Sequence, residues 1–98
     1  MTLNKNLDGT TLTIEIIGRL DTTTAPQLEE EITASIGGIN KLVLDFGQLE
    51  YISSAGLRVL LKSQKAMSRQ GKMVIVNASE TIREVFELTG FMDILTLG

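Results

Sequence analysis

After residue 41 the chain alternates short apolar runs with segments of helical period, and this order constrains its fold more than any other feature. Lys41–Phe46 holds Leu42-Val43-Leu44, and Met73-Val-Ile-Val76 repeats the pattern further on. Runs this short, bounded by turn residues, predict strands, and their unbroken apolar character predicts cover on both faces. Between them a helix opens at Ser53 or Ser54, carries Leu57, Leu60, Leu61 and Met67 on one face, and ends at Gly71. Ser79 caps a third helix with Ile82, Val85 and Phe86 inward and Gly90 as its stop, and Phe91–Leu97 packs as a closing apolar segment. Strand–helix–strand order implies right-handed crossovers and a largely parallel core.

The first forty residues add a different signal. Thr11–Ile17 alternates, with Leu12, Ile14 and Ile16 on one side and Thr11, Thr13 and Glu15 on the other, which predicts a half-buried strand. Asp8-Gly9 is a turn signal that makes Thr2–Leu7 its hairpin partner. Thr24-Ala-Pro-Gln27 reads as a capping box with Pro26 in the first turn, where its missing N–H is harmless. Leu28, Ile32 and Ile36 then recur every fourth residue, and Gly37-Gly38 ends the helix. The expected architecture is α/β: a small mixed β-sheet with an N-terminal hairpin and helices packed against it. A chain of 98 residues buries about 65% of its unfolded surface. That suffices for one core without staples, so residues 1–98 read as a single domain.

Composition narrows the chemistry. With no His and no Cys, the chain has no imidazole base or metal ligand, no thiolate and no redox pair. A net charge of −3 with one Tyr, three Phe and no Trp argues against nucleic acid, which requires a basic stripe and stacking aromatics. The opening MTLNKNLDG has no apolar h-region and no apolar run reaches the length of a membrane span. The expectation is a cytoplasmic protein with no cofactor, no metal and no direct membrane insertion.

In parallel α/β sheets, ligands and partners gather where strand-to-helix loops leave the carboxyl ends of strands. The longest such loop here runs from Gly47 to Leu57 and places Ser53 and Ser54 at a helix N-terminus, beside unsatisfied N–H groups. Two readings of the serines stay open: a plain helix cap, contributing about 1 kcal/mol over Ala, or a phosphoacceptor whose product the helix end stabilises. A hydrolase nucleophile is disfavoured, because there is no His base and no Gly-x-Ser-x-Gly. A P-loop is absent too. Gly56 sits in the first turn, where Ala would be better by about 0.8–1 kcal/mol; it implies a close approach, by a neighbouring strand or by a partner. Arg58, Lys62, Lys65 and Arg69 share one helical face with no acidic residue among them. That face is either simply solvated or meets an acidic partner beside Ser54. Asp21 and Asp45 are the carboxylates placed to flank Ser54.

The run Leu44-Asp-Phe-Gly-Gln-Leu-Glu-Tyr-Ile-Ser-Ser-Ala-Gly-Leu-Arg-Val-Leu-Leu61 closely resembles the signature of STAS domains, the anti-sigma factor antagonist family. The resemblance extends to Gly18-Arg-Leu-Asp-Thr-Thr-Thr-Ala-Pro26 and to Val74-Ile-Val-Asn77, so it covers essentially the whole chain. It implies the STAS fold and a partner-switching regulator rather than an enzyme. Such a protein binds an anti-sigma factor that is also a serine kinase, and so frees the sigma factor. Phosphorylation at the start of the second helix ends binding, and a PP2C-type phosphatase restores it. The residue match makes Ser54 the acceptor and Asp21 an acidic neighbour; Thr22, Ser53, Gly56, Leu57 and Arg58 complete the partner-binding set. Many antagonists read Asp-Ser-[Ser/Thr]-Gly where this chain has Ser53-Ser54-Ala55-Gly56. Ser53 is thereby a second candidate acceptor, and a non-phosphorylated STAS subunit of a membrane transport or stress-sensing complex is the alternative function.

Overall fold

The computed structural model describes all residues from Met1 to Gly98. In chain order the elements are β1 (Thr2–Asp8), β2 (Thr11–Leu20), α1 (Ala25–Ser35), β3 (Lys41–Asp45), β4 (Leu49–Ile52), α2 (Ser54–Ser68), β5 (Lys72–Val76) and α3 (Glu80–Thr89), followed by a 3₁₀ turn over Phe91–Asp93. The main sheet runs β1-β2-β3-β5. The hairpin β1–β2 is antiparallel, while β2, β3 and β5 are parallel. This is the mixed sheet that the hairpin signal and the crossover pattern predict.

Register sets which side chains share a face. Leu12, Leu42 and Met73 align across the three parallel strands, as do Ile14, Leu44 and Ile75. All six are at most 4% exposed. The alternate rows, Thr13-Val43-Val74 and Glu15-Asp45-Val76, are only half-buried. The cause is topological. Both crossovers, β2-α1-β3 and β3-α2-β5, step the same way across the sheet, and right-handed crossovers stepping one way deliver their helices to one face. Cover on both faces of Lys41–Phe46, expected from its apolar run, is therefore not found: Leu42 and Leu44 face the helices, and Val43 faces away.

One core of 22 buried residues joins the helices to this face. α1 contributes Leu28 and Ile32, α2 contributes Leu57, Leu60 and Met67, and α3 contributes Ile82 and Phe86. Each such side chain stabilises the fold by about 1.5–3 kcal/mol relative to leaving it in water. The Phe46 and Phe86 rings meet at 6.4 Å and 40°, tying α3 to the end of β3.

Two local expectations are corrected, and a third gains its physical reason. The stretch after Phe46 is not all loop, since Leu49–Ile52 forms β4, paired parallel with the end of β2 beyond a bulge at Gly18/Arg19. Thr24 does not cap α1 through its side chain: its backbone is αR, whereas a capping residue needs extended φ/ψ to aim its oxygen at the following amides. Its hydroxyl instead donates to the Arg19 carbonyl at 2.8 Å. Gly71 ends α2 without a positive φ; a Cβ there would lie 1.8 Å from the Asn40 carbonyl oxygen. Its role is close backbone approach, which lets the Lys72 amide donate to Asn40 O at 3.0 Å and start β5 in register with β3. The closing segment buries Leu95 and adds Thr96–Gly98 alongside β5, with Ile75 N–H donating to Thr96 O and Gly98 N–H to Ile75 O.

Candidate functional site

β2 and β4 end side by side because they pair in parallel up to Leu20 and Ile52. The Ser53 amide continues the pairing by donating to Leu20 O at 2.9 Å. The turn that enters α1 and the first turn of α2 thus leave the same sheet edge together. This brings Asp21 and Thr22 into one neighbourhood with Ser53, Ser54 and Arg58, although Asp21 and Ser54 are 33 residues apart in the chain.

Asp21 organises the entry turn. Its Oδ1 accepts from the Thr23 amide at 3.0 Å and the Thr24 amide at 3.1 Å, and at 3.2 Å it shares the Thr24 hydroxyl proton with the nearer Arg19 carbonyl. The Thr24 amide foremost, then the Thr24 hydroxyl, the Thr23 amide and last the Arg19 charge hold its carboxyl below the usual range, outweighing an opposing desolvation that is second only to the Thr24 amide. The Arg19 side chain lies 3.8 Å from Asp21 Oδ2 and 4.2 Å from the centre of the Tyr51 ring. Asp21 therefore stays ionised, and it serves the turn.

The two serines separate cleanly. Ser53 is the cap: its backbone is extended, it is half-buried, and its Oγ accepts from the Gly56 amide at 3.4 Å. Ser54 is the first helical residue and is exposed. The Ser54 and Ala55 amides have no backbone partner, and no acidic residue occupies the first turn. An accessible hydroxyl thus stands at an uncompensated positive helix end.

Gly56 resolves in favour of the neighbouring strands. A Cβ there would sit 2.8 Å from Leu20 Cγ and 2.9 Å from Ile52 Cγ1. Gly56 is itself buried and Leu57 is 6% exposed, so both lie under the surface that the sequence assigned them to. They set the height of α2 over the β2–β4 pair. Thr22 and Arg58 remain at the surface and line a groove between α1 and α2 with Pro26, Ala55, Glu29 and Lys62.

The basic face is split. Lys62 Nζ pairs with Glu29 of α1 at 3.1 Å, while Arg58, Lys65 and Arg69 have no ion-pair partner in the chain. Asp45 does not join the serine site. Its Oδ1 accepts from the Gly47 amide at 2.9 Å and from Asn77 Nδ2 at 3.1 Å, ordering the turn into β4 and tying it to the end of β5. No cluster of three or more acidic side chains gathers as a metal site. Sequence reasoning missed Arg19 and Tyr51, an exposed cation–π pair of two residue types enriched among interface anchors. The signal was present: the chain's only Tyr stands two positions before Ser53.

The sequence matches the STAS domain profile over residues 2–98. It is 42% identical over 83 residues to BtrV of Bordetella bronchiseptica, which bears the name anti-sigma factor antagonist, covering 83% of this chain and 72% of that protein. The anti-sigma-B factor antagonist of Staphylococcus aureus is 29% identical over 99 aligned positions, covering 95% and 92%. Among solved structures, the Bacillus cell fate determinant SpoIIAA in its phosphorylated form shares the fold with a TM-score of 0.77 at 22% identity, covering 99% of this chain and 91% of that one. No helix is long and apolar enough to cross a membrane.

Proposed function

The chain belongs to the STAS domain family, and we propose that it is an anti-sigma factor antagonist whose binding is switched off by phosphorylation of Ser54. In this reading the partner is an anti-sigma factor with serine-kinase activity, and a PP2C-type phosphatase reverses the modification. The chain is the substrate of both enzymes, acts in the cytoplasm and frees the sigma factor by occupying its inhibitor.

The observation that carries the reading is the division of labour between the serines. Ser53 holds the helix start, so Ser54 is spare, exposed and next to amides with no backbone partner. The names of BtrV and the Staphylococcus protein, and the phosphorylated form of SpoIIAA, support it.

The physics of the switch is local. A phosphate at this helix end carries about −1.5 to −2 charges and interacts with the dipole by roughly 0.3–2 kcal/mol, so the fold survives it. Pressed into an interface, the same charge meets desolvation and repulsion of several kcal/mol. Each 1.4 kcal/mol or so is a tenfold loss of affinity. Thr22, Ser54 and Arg58 form the accessible contact surface, with Asp21, Gly56 and Leu57 holding it in shape. Arg58→Glu is expected to weaken partner binding about tenfold with an unchanged melting curve, because Arg58 is exposed; an unchanged dissociation constant removes it from the surface.

The decisive experiment is incubation with the kinase and ATP followed by intact mass of the wild type, Ser54→Ala and Ser53→Ala. One phosphate on the wild type and on Ser53→Ala, with none on Ser54→Ala, is the expected pattern. A gain that persists in Ser54→Ala moves the acceptor to Ser53. No gain on the wild type favours a constitutively bound STAS subunit.

A further inference from the structure

The face of the sheet away from the helices is laid out in charged rows. Strand pairing aligns Asp8, Thr11, Lys41 and Lys72 at one end, Asn6, Thr13, Val43 and Val74 in the middle, and Asn4, Glu15, Asp45 and Val76 at the other end. The row of lysines lies four residues from the row of carboxylates along β3, about 13 Å away. Val43, Val74 and Val76 are half-exposed and do not pack against the core. The acidic end is held in place: Glu15 accepts from Asn4 Nδ2 at 3.0 Å and Gln48 Nε2 at 3.4 Å, and Asp45 accepts from Gly47 and Asn77.

We propose that this face is the contact surface of a weak homodimer, in which a second copy of the chain packs sheet to sheet with its strands reversed. Charge complementarity selects the occupant and its orientation. A twofold axis lying between the sheets and across the strands sets Lys41 of one copy over Asp45 of the other, twice. Lys72, over Val76, lies one strand spacing from the same Asp45, and Thr11 meets Glu15. The middle row, Asn6, Thr13, Val43 and Val74, meets its own image, and its short side chains suit the roughly 10 Å spacing of stacked sheets. Running the strands the same way instead places lysines on lysines and carboxylates on carboxylates. The footprint decides the strength: four strands at about 4.8 Å spacing cover on the order of 350 Å² per copy, below the roughly 800 Å² of a standard interface. A footprint of that size is that of a weak, transient contact, and it leaves Ser54, on the helix side of the strand ends, accessible in both copies.

Sedimentation velocity of the purified chain across about 10–1,000 µM at low salt reads this directly. The expected result is a reversible monomer–dimer equilibrium, weakened at least about tenfold in 1 M salt, where the Debye length is about 3 Å. Lys41→Glu and Val43→Arg are each expected to weaken it by at least about tenfold, while Glu84→Lys on α3 leaves it unchanged; circular dichroism melting confirms that the variants fold. A chain that sediments as a monomer throughout overturns the proposal and assigns the face to solvent or to another protein. A dimer that forms but ignores both face variants overturns it equally.

Discussion

Two helices of this chain begin on a serine, and only one of those starts has the features of the proposed site. Ser79 and Ser53 both adopt extended backbones and both accept from the amide three residues on, Ile82 at 3.2 Å and Gly56 at 3.4 Å. At α3 the next residue is Glu80, which puts a carboxylate in the first turn, and the third is Ile82, fully buried. That start is complete: capped, charge-compensated and anchored in the core. At α2 the next residue is Ser54, exposed, with no acid in the turn, and the third is Gly56, pressed onto Leu20 and Ile52. The cap therefore does not mark the proposed site. What marks it is the charge left uncompensated and the hydroxyl left unused.

The contrast is tested hardest by supplying the missing charge. Ser54→Asp is expected to weaken binding to the anti-sigma partner by about 100-fold or more, measured by titration calorimetry, as several kcal/mol of interface repulsion requires. Binding unchanged by the substitution would make the two helix starts functionally alike. Gly56→Ala comes next. Helix propensity favours it by about 0.8–1 kcal/mol, but overpacking against the buried Leu20 and Ile52 costs about 1–3 kcal/mol, so a net loss of about 1 kcal/mol is expected in denaturant titration. A stabilised variant would show that the β2–β4 pair yields and that α2 is not held at that height.

The caps themselves distinguish the two regions more gently. Ser79→Ala should cost about 1 kcal/mol, and Ser53→Ala less, since its hydrogen bond is longer. The smallest effect is the pH dependence at Asp21, whose carboxyl is held low mainly by the Thr24 amide. A depressed folded pKa contributes stability that is fully present above the unfolded value of about 3.9 and is lost as pH falls through the folded value. The stability gap between wild type and Asp21→Asn should be constant near neutrality and close in acid. A gap that persists unchanged at low pH would assign it to shape rather than charge.

Much of this was legible in residues alone. The alternation in Thr11–Ile17, the Asp8-Gly9 turn, the four-residue recurrence in α1 and the Ser79 and Gly90 signals are local, because propensity and periodicity act over one or two turns. β4 was hidden because its buried residues, Leu49 and Ile52, stand three apart and do not alternate; it exists by pairing with β2 past a bulge. Thr24 misled because Asp21, three residues earlier, accepts from the amides that precede the helix and turns Thr24 back toward Arg19. The serine run and its family match pointed to Ser54 as the acceptor now proposed, but only the fold shows that Ser53 is the hydroxyl that caps the helix.

By itself, then, the sequence determined the elements other than β4, their order, the mixed sheet and the family, since all of these follow from short-range patterns and a signature spanning the chain. With no His and no Cys, it also left a hydroxyl, rather than an imidazole or a thiol, as the candidate functional group. Tertiary structure alone decided which serine caps and which is free, and what Gly56 approaches. It also decided that the helices share one face of the sheet while the other lies open. These are consequences of strand order and of pairing between residues far apart in the chain, where the contacts that set the energies have no trace in local sequence.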